Sequence, residues 1–440
     1  MPMINGTDAA DRCLVLVLRK GFTSLGDHLQ TLLDLAVRVH LVTVESPTIA
    51  DDPRFTSVVQ LPESASHREF VDAAVGRARE TGAAAVFTLL ETDIEIAETA
   101  NAEFGNGWAT PEAAFVCRDK FRQREFLRQH GIPSVWYHPV TDIDKAVEVA
   151  AERGFPLILK PTRAAASEFV ELVQDADRLR VALDRIKAMI DDNYGFYYEG
   201  EPTEWALLEE YLPGQEVTLD GVVVGGRFIL GGVHNKLESS GPYFLEDLYT
   251  LPYTNPERED ELADIAARIN TGLGTTTCMF NAELRQGADG AFRVVEFSIR
   301  VSGGHPYRHI KDVYSIDLLR MFVRAACGEP VDDILAQENR RSEPRMTVCA
   351  KVVYSNGTVV RNSVGEAIHS PHFRVYFATA KPGRVVAAGT QGFDATGLLS
   401  VWMPWQPGQD PSVVHNVAKE LAQQLDIDVR DEAGQKSALA

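Results

Sequence analysis

The sequence predicts an α/β protein, with an N-terminal domain on an open parallel sheet, an α+β central part and a strand-rich C-terminal part. Three observations predict it. Over residues 1–112, continuous apolar runs alternate with amphipathic helical stretches, as in strands buried between crossover helices. In the middle, Gly225–Gly226 and Asp289–Gly290 are two-residue turn signals between strand-like runs, the mark of antiparallel hairpins. From Met346 onward, short strand-like runs predominate, with one helical stretch at Ser412–Leu425.

The N-terminal elements follow in order. Cys13–Leu18 is an unbroken apolar run, and Asp27–Ala36 has a helical pattern. Strand patterns return at Val39–Val44 and Ser57–Leu61, and a helix over His67–Glu80 leads to the apolar run Ala83–Leu90. Ligands of such sheets gather at the carboxyl ends of the strands. Arg19–Lys20–Gly21 and Glu91 fall at those ends, so the first could meet an anion and the second a substrate; a helix-cap or surface role serves Glu91 equally well. No G-x-G-x-x-G follows the first strand, which disfavours a dinucleotide-binding dehydrogenase.

In the centre, a helix over Asp119–His130 is stopped by Gly131 and Pro133, and a second over Ile143–Arg153 by Gly154. Phe155–Lys160 is an apolar strand ending at Lys160–Pro161, and Ala206–Leu212, Glu216–Val224 and Arg227–Val233 also read as strands. The acidic stretch Pro330–Pro344 reads as a linker and Asp431–Ala440 as a frayed tail.

Composition bounds the function. At ~150 residues per domain, 440 residues suggest about three domains. A 45% hydrophobic and 24% charged composition excludes bulk disorder. The net charge of −20 opposes unassisted binding to a nucleic-acid backbone, while a local basic pocket for a small phosphate ligand stays open. No apolar run reaches the ~20 residues of a membrane span, and Met1–Arg12 lacks the build of a signal peptide. Cys13, Cys117, Cys278, Cys327 and Cys349 are widely spaced without a CxxC pair, which reads as reduced thiols of a cytoplasmic protein and argues against a zinc site. No G-x-S-x-G supports a serine hydrolase.

The chemistry concentrates in Met279–Arg300. If Asp289–Gly290 is the hairpin tip, Glu283 directly faces Glu296, with Asn281, Arg285, Ser298 and Arg300 on the same face and Phe280, Ala282, Leu284, Val295, Phe297 and Ile299 on the other. Opposed carboxylates repel and need a shared proton or cation. Glu283, Glu296 and Ser298 are an oxygen-only set, which suits Mg²⁺ with water and phosphate completing its shell. An arbitrary hairpin of this kind is more often a solvated face neutralised by Arg285 and Arg300. Lys120 at a helix start, Lys160 at a strand's end and the strand glutamates Glu209, Glu210 and Glu216 each read singly as surface residues; together they tilt the balance toward a site.

In order, RDKFRQREFLRQHGIP, GFPLILKP, LLEEYLPGQEVTLDG, FNAELR and VVEFSIR resemble the ATP-grasp ligases over about Glu112 to Asp317. The details look most like the carboxylate–amine ligases, including L-amino acid ligases, with biotin-carboxylase-like enzymes as cousins. The resemblance implies a pre-ATP-grasp domain over 1–112, an ATP-grasp domain over 113–330 with a lid subdomain at about 150–212, and a C-terminal subdomain over 331–440. It implies ATP and Mg²⁺ (or Mn²⁺), small-molecule carboxylate and amine substrates, and a homodimer.

Residue by residue, it implies that Lys120 and Lys160 contact nucleotide phosphates and that the Glu209–Glu210–Leu212 backbone binds adenine, with the Glu209 side chain on its amino group. Glu216 would take the ribose and Lys236 the phosphates. Glu283 and Glu296 would hold the metal, with Ser298 where the family usually has asparagine. Arg300 would stabilise the acyl phosphate. The lid loop, usually glycine-rich, is here Thr162–Arg163–Ala164–Ala165–Ala166–Ser167, where Arg163 and Ser167 stand in as phosphate donors.

Gly303, Gly304 and His305 follow Arg300, and read equally as a substrate-binding turn or a plain one. His234, His309, Tyr243 and Glu246 are further pocket residues, although a lone histidine is more often structural. The expected activity is ATP-dependent amide formation. Two alternatives stay open, an enzyme activating bicarbonate or formate and a non-catalytic nucleotide-binding regulator; the intact Glu283, Glu296 and Arg300 set argues against the latter.

Overall fold

The computed structural model describes residues 12–21, 24–44, 47–164, 167–197, 203–238, 243–244, 246–330, 343–387 and 394–431. Residues 331–342 of the expected linker, most of the N-terminal stretch and of the tail, and Ala165–Ala166 of the lid loop lie outside them.

β1 (Arg12–Leu18), β2 (Val37–Val44), β3 (Ser57–Leu61) and β4 (Ala85–Thr88) form a parallel sheet in the order β3-β2-β1-β4. Cys13 to Leu18 are all buried, since helices cover both faces of the central strand. Each such side chain contributes ~1.5–3 kcal/mol by burial, which explains the unbroken apolar run. The helix His67–Thr81 covers one face; it opens with a Ser66–Glu69 capping box and closes on left-handed Gly82. The other face packs on the helices Pro306–Tyr314 and Leu318–Ala326, which bind this sheet to the rest of the molecule.

A second, antiparallel sheet joins β5 (Tyr137–Val140), β6 (Leu157–Pro161), β7 (Glu171–Val173) and β8 (Ala206–Glu210) in the order β5-β8-β6-β7. The helices Ile143–Arg153 and Ala176–Tyr197 enclose its core.

The largest sheet has eight strands. Its central members are β9 (Glu216–Val224), β10 (Arg227–Glu238), β11 (Glu246–Leu251), β12 (Thr277–Gln286) and β13 (Phe292–Ser298), and β14 (Met346–Val353), β16 (Phe373–Ala378) and β18 (Gly397–Pro404) extend it. The order is β13-β12-β9-β10-β11-β14-β18-β16, so the C-terminal segment continues the central sheet. A small sheet of β15 (Asn356–Ser363), β17 (Val385–Ala387) and β19 (Asp426–Arg430) completes that end with the helix Ser412–Ala422. Among the described residues no helix is long and apolar enough to cross a membrane.

The turn Gly225–Gly226 joins β9 to β10 with both residues at positive φ, as a two-residue hairpin turn requires. Gly231 sits at a bulge in β10, and a Cβ there would lie 2.7 Å from Leu318, so only glycine lets the helix approach.

Candidate functional site

The eight-stranded sheet, the β5–β8 sheet and the carboxyl ends of β1 and β4 converge on a cavity of about 780 Å³. That size suits a small-molecule site. Most of the site residues expected from the sequence line it, His309 and Glu246 included, whereas Arg163, His234 and Tyr243 do not.

The β12–β13 hairpin gives the cavity its floor. Gln286 pairs with Phe292, so the turn spans residues 287–291 and is not the two-residue Asp289–Gly290 tip. A bulge between Glu283 and Leu284 then shifts the register, and Glu283 still faces Glu296. The expected opposition holds because the longer turn and the bulge offset each other. Along the ladder, Thr218 faces Glu283 and Glu283 faces Glu296; one pair further, Asp220 faces Asn281 and Asn281 faces Ser298.

Lysines neutralise the floor. Asp119 caps the helix Lys120–Gln129 by accepting from the Arg122 amide, which sets Lys120 in its first turn. Lys120 Nζ lies 2.9 Å from Glu296 Oε1 and donates to the Ala164 carbonyl at 2.8 Å. Lys236 Nζ, on β10, lies 3.1 Å from Glu283 Oε2, 2.6 Å from Glu216 Oε1 and 3.2 Å from Glu246 Oε1. Burial would lower the Lys236 pKa, but Glu216, Glu283 and Glu246 outweigh it and hold the ammonium well above its ordinary range. The Glu283 carboxyl is pushed up to about 7, by burial against the pull of Lys236 and then by Glu216, Glu246 and Glu296. Burial also raises Glu296, but Lys120 and Lys160 hold it below the ordinary range.

Lys160 is buried, with Nζ 2.8 Å from Glu209 Oε2. Arg124 Nε donates to Glu209 Oε1 at 2.7 Å. Burial pushes Lys160 down to about 8 despite Glu209, and burial raises Glu209 while Arg124 and Lys160 more than reverse it. Both oxygens of Glu209 thus already have cation partners, where the expectation set its side chain on the adenine amino group. Arg124 was not anticipated. Its signal was spacing, four residues after Lys120 and on the same helix face.

Two expectations for the loops change. Arg163 is buried and pairs with Glu95 at 3.1 Å and Asp119 at 3.3 Å, so it braces the lid base and does not offer itself to phosphate. Arg19 pairs with Asp93 at 2.7 Å, which leaves Lys20 as the charged residue of that turn that lines the cavity, beside Gly21. Ser167 does line the cavity, at a left-handed φ of 56° that favours glycine.

At the far end, Arg300 Nε donates to Glu91 Oε2 at 2.7 Å and Arg300 Nη1 to the Val301 carbonyl at 2.7 Å. The turn Ser302–Gly303–Gly304–His305 follows, with Gly304 at φ 76°. Ser298 Oγ, Thr218 Oγ1 and Glu91 Oε1 are buried with no hydrogen-bond partner among the described residues. Native interiors rarely leave such atoms unmade, so this floor is shaped for a guest. Among the described residues no three His, Cys, Asp or Glu side chains are grouped to hold a metal alone. Two opposed glutamates with a serine hydroxyl beside them instead fit a hard divalent ion that takes its remaining ligands from phosphate and water.

Comparison with known proteins agrees with this architecture. Residues 153–306 match the family model described as an ATP-grasp domain. Alanine–anticapsin ligase of Bacillus subtilis (strain 168) is 25% identical over 288 residues, 61% of this chain and 60% of that protein. Carnosine synthase 1 of Homo sapiens is 28% identical over 238 residues, 51% of this chain and 28% of that protein. The matched segments thus span less than two thirds of either relative. The fold of an L-amino acid ligase from Bacillus licheniformis superposes with a TM-score of 0.79 at 18% identity, covering 96% of this chain and 100% of that one. A biotin carboxylase from Campylobacter jejuni superposes at 0.69 with 14% identity, covering 97% and 93%. By sequence, residues 153–306 thus match an ATP-grasp domain, and the chain shares its overall fold with these two structures.

Proposed function

We propose that the chain is an ATP-dependent, ADP-forming carboxylate–amine ligase that makes an amide or peptide bond between amino-acid-like substrates through an acyl phosphate. The observation that supports this best is the meeting of Lys120, Lys160, Lys236, the opposed Glu283–Glu296 pair and Arg300 in one cavity. Three cations suit a triphosphate, two carboxylates suit its metal, and an arginine beyond them suits the charge that develops on the acyl group.

In this reading Lys120, Lys160 and Lys236 bind the phosphates, and the main chain around Glu209, Glu210 and Leu212 binds adenine. Glu209 fixes Lys160. Glu216 receives the ribose hydroxyls, and Ser167 covers the phosphates from the lid. Glu283, Glu296 and Ser298 hold Mg²⁺ or Mn²⁺, which when bound neutralises charge on the transferring phosphoryl group. Arg300, oriented by Glu91, stabilises the acyl phosphate and the tetrahedral intermediate. Gly303, Gly304 and His305 shape the end that admits the amine. The partners are small molecules, and the protein works as a cytoplasmic homodimer.

The test is incubation with ATP, Mg²⁺ and pooled amino acids. ADP, phosphate and a condensed product detected by mass spectrometry are expected. ADP formation that depends on bicarbonate and ignores every amine would overturn the reading.

A further inference from the structure

The helix Leu25–Asp34 of the N-terminal domain grips the turn that follows Arg300. Ser24 Oγ donates to the Gly304 carbonyl at 2.7 Å. Asp27 Oδ2 lies 3.2 Å from His305 Nε2 and also accepts from the Tyr307 hydroxyl, with Arg308 Nη2 4.0 Å from Oδ1. Burial would raise the Asp27 carboxyl, but His305 and Tyr307 hold it well below the carboxylate range, so it is ionised. An ionised acceptor requires a proton on Nε2, so that the neutral imidazole carries its lone pair on Nδ1. Nδ1 is buried and has no hydrogen-bond partner among the described residues. Phe377 packs edge-on to the ring at 5.0 Å, Tyr307 at 5.8 Å and His309 at 5.7 Å, which fixes its orientation. Burial holds His309 neutral. His305 lines the cavity on the Arg300 side.

A carboxylate, an imidazole oriented by it, and an unpartnered ring nitrogen on a residue that lines the cavity form the arrangement of a general base. The ligase reading, on which this inference rests, needs one. An amino acid's ammonium is protonated at neutral pH and has no lone pair for attack. We propose that His305 is the general base that takes this proton, and that Asp27 is the residue that positions it. The ammonium gives one proton to Nδ1. The freed lone pair attacks the acyl-phosphate carbonyl carbon, forming the C–N bond. The C–O bond to phosphate then breaks with its electron pair, and the second N–H proton leaves with the phosphate. His305 returns its proton to solvent.

The test compares two nucleophiles. Hydroxylamine is a free base at neutral pH and captures an acyl phosphate without help, so hydroxamate formation reports activation alone. His305→Gln should lose amide formation by about 10²–10⁴-fold more than it loses hydroxamate formation. Asp27→Asn should show the same split to a lesser degree, and carries the comparison alone if the first variant does not fold. Equal loss of both products, or undiminished amide formation, would overturn the proposal. Failure of the wild-type protein to make any ATP-dependent hydroxamate would instead sink the ligase reading.

Discussion

Glu91 Oε2 lies 2.7 Å from Arg300 Nε, a contact between residues 209 positions apart that ties the end of the parallel sheet to the exit of β13. Among the described residues its other acceptor is the carbonyl of the neighbouring Val301, so Glu91 determines where the guanidinium points. Glu91→Gln should therefore lower kcat/KM by roughly 10–150-fold, the effect of losing ~1.5–3 kcal/mol from a charge-assisted hydrogen bond. Nucleotide affinity, measured by calorimetry, should be unchanged. A matching fall in nucleotide affinity would place Arg300 at the phosphates and not at the acyl group.

Glu296→Gln should abolish ADP release and greatly weaken Mg²⁺-dependent nucleotide binding. It removes one of two opposed carboxylates and leaves Lys120 without its charged partner. Near-normal ADP release at ordinary Mg²⁺ concentrations would remove the metal assignment.

Lys160→Ala should destabilise the ligand-free protein as well as weaken ATP binding. From the sequence, a lysine ending a strand contributes little to a core. In the fold it is buried against Glu209, and breaking a buried ion pair costs ~3–5 kcal/mol. Thermal denaturation without ligand checks this, and an unchanged Tm would show that Arg124 alone satisfies Glu209.

Glu98 supplies a pH test outside the substrate cavity. Burial pushes its carboxyl up to about 8, against hydrogen bonds from Asn101 and the Ala109 amide. A carboxyl raised in the folded state stabilises at low pH, and that contribution is lost as pH rises from the ordinary carboxylate range through 8. Glu98→Gln should change Tm little at pH 5 and raise it at pH 9. A Tm difference that does not vary with pH would contradict the buried, proton-holding state.

The legible parts of this protein were those written in short stretches of chain. The apolar run of β1, the bounds of β9 and of the helix Ile143–Arg153, and the Gly225–Gly226 turn all follow from periodicity and turn chemistry among near neighbours. The facing of Glu283 and Glu296 was also legible, although the turn that produces it has a different length and a compensating bulge, which turn propensity alone does not reveal.

By itself, the sequence determined most of the elements, the polar face of the β12–β13 hairpin and most of the residues that gather in the cavity. Tertiary structure alone decided which of them touch. Arg124 on Glu209, Lys236 among Glu216, Glu246 and Glu283, and Asp27 on His305 are contacts across 85, 47 and 278 residues in the cases of Arg124–Glu209, Lys236–Glu283 and Asp27–His305. No local preference encodes such pairs. They form because distant sheets and helices bury their apolar faces on one another, and the charged side chains carried inward must then find partners or remain at a high desolvation cost.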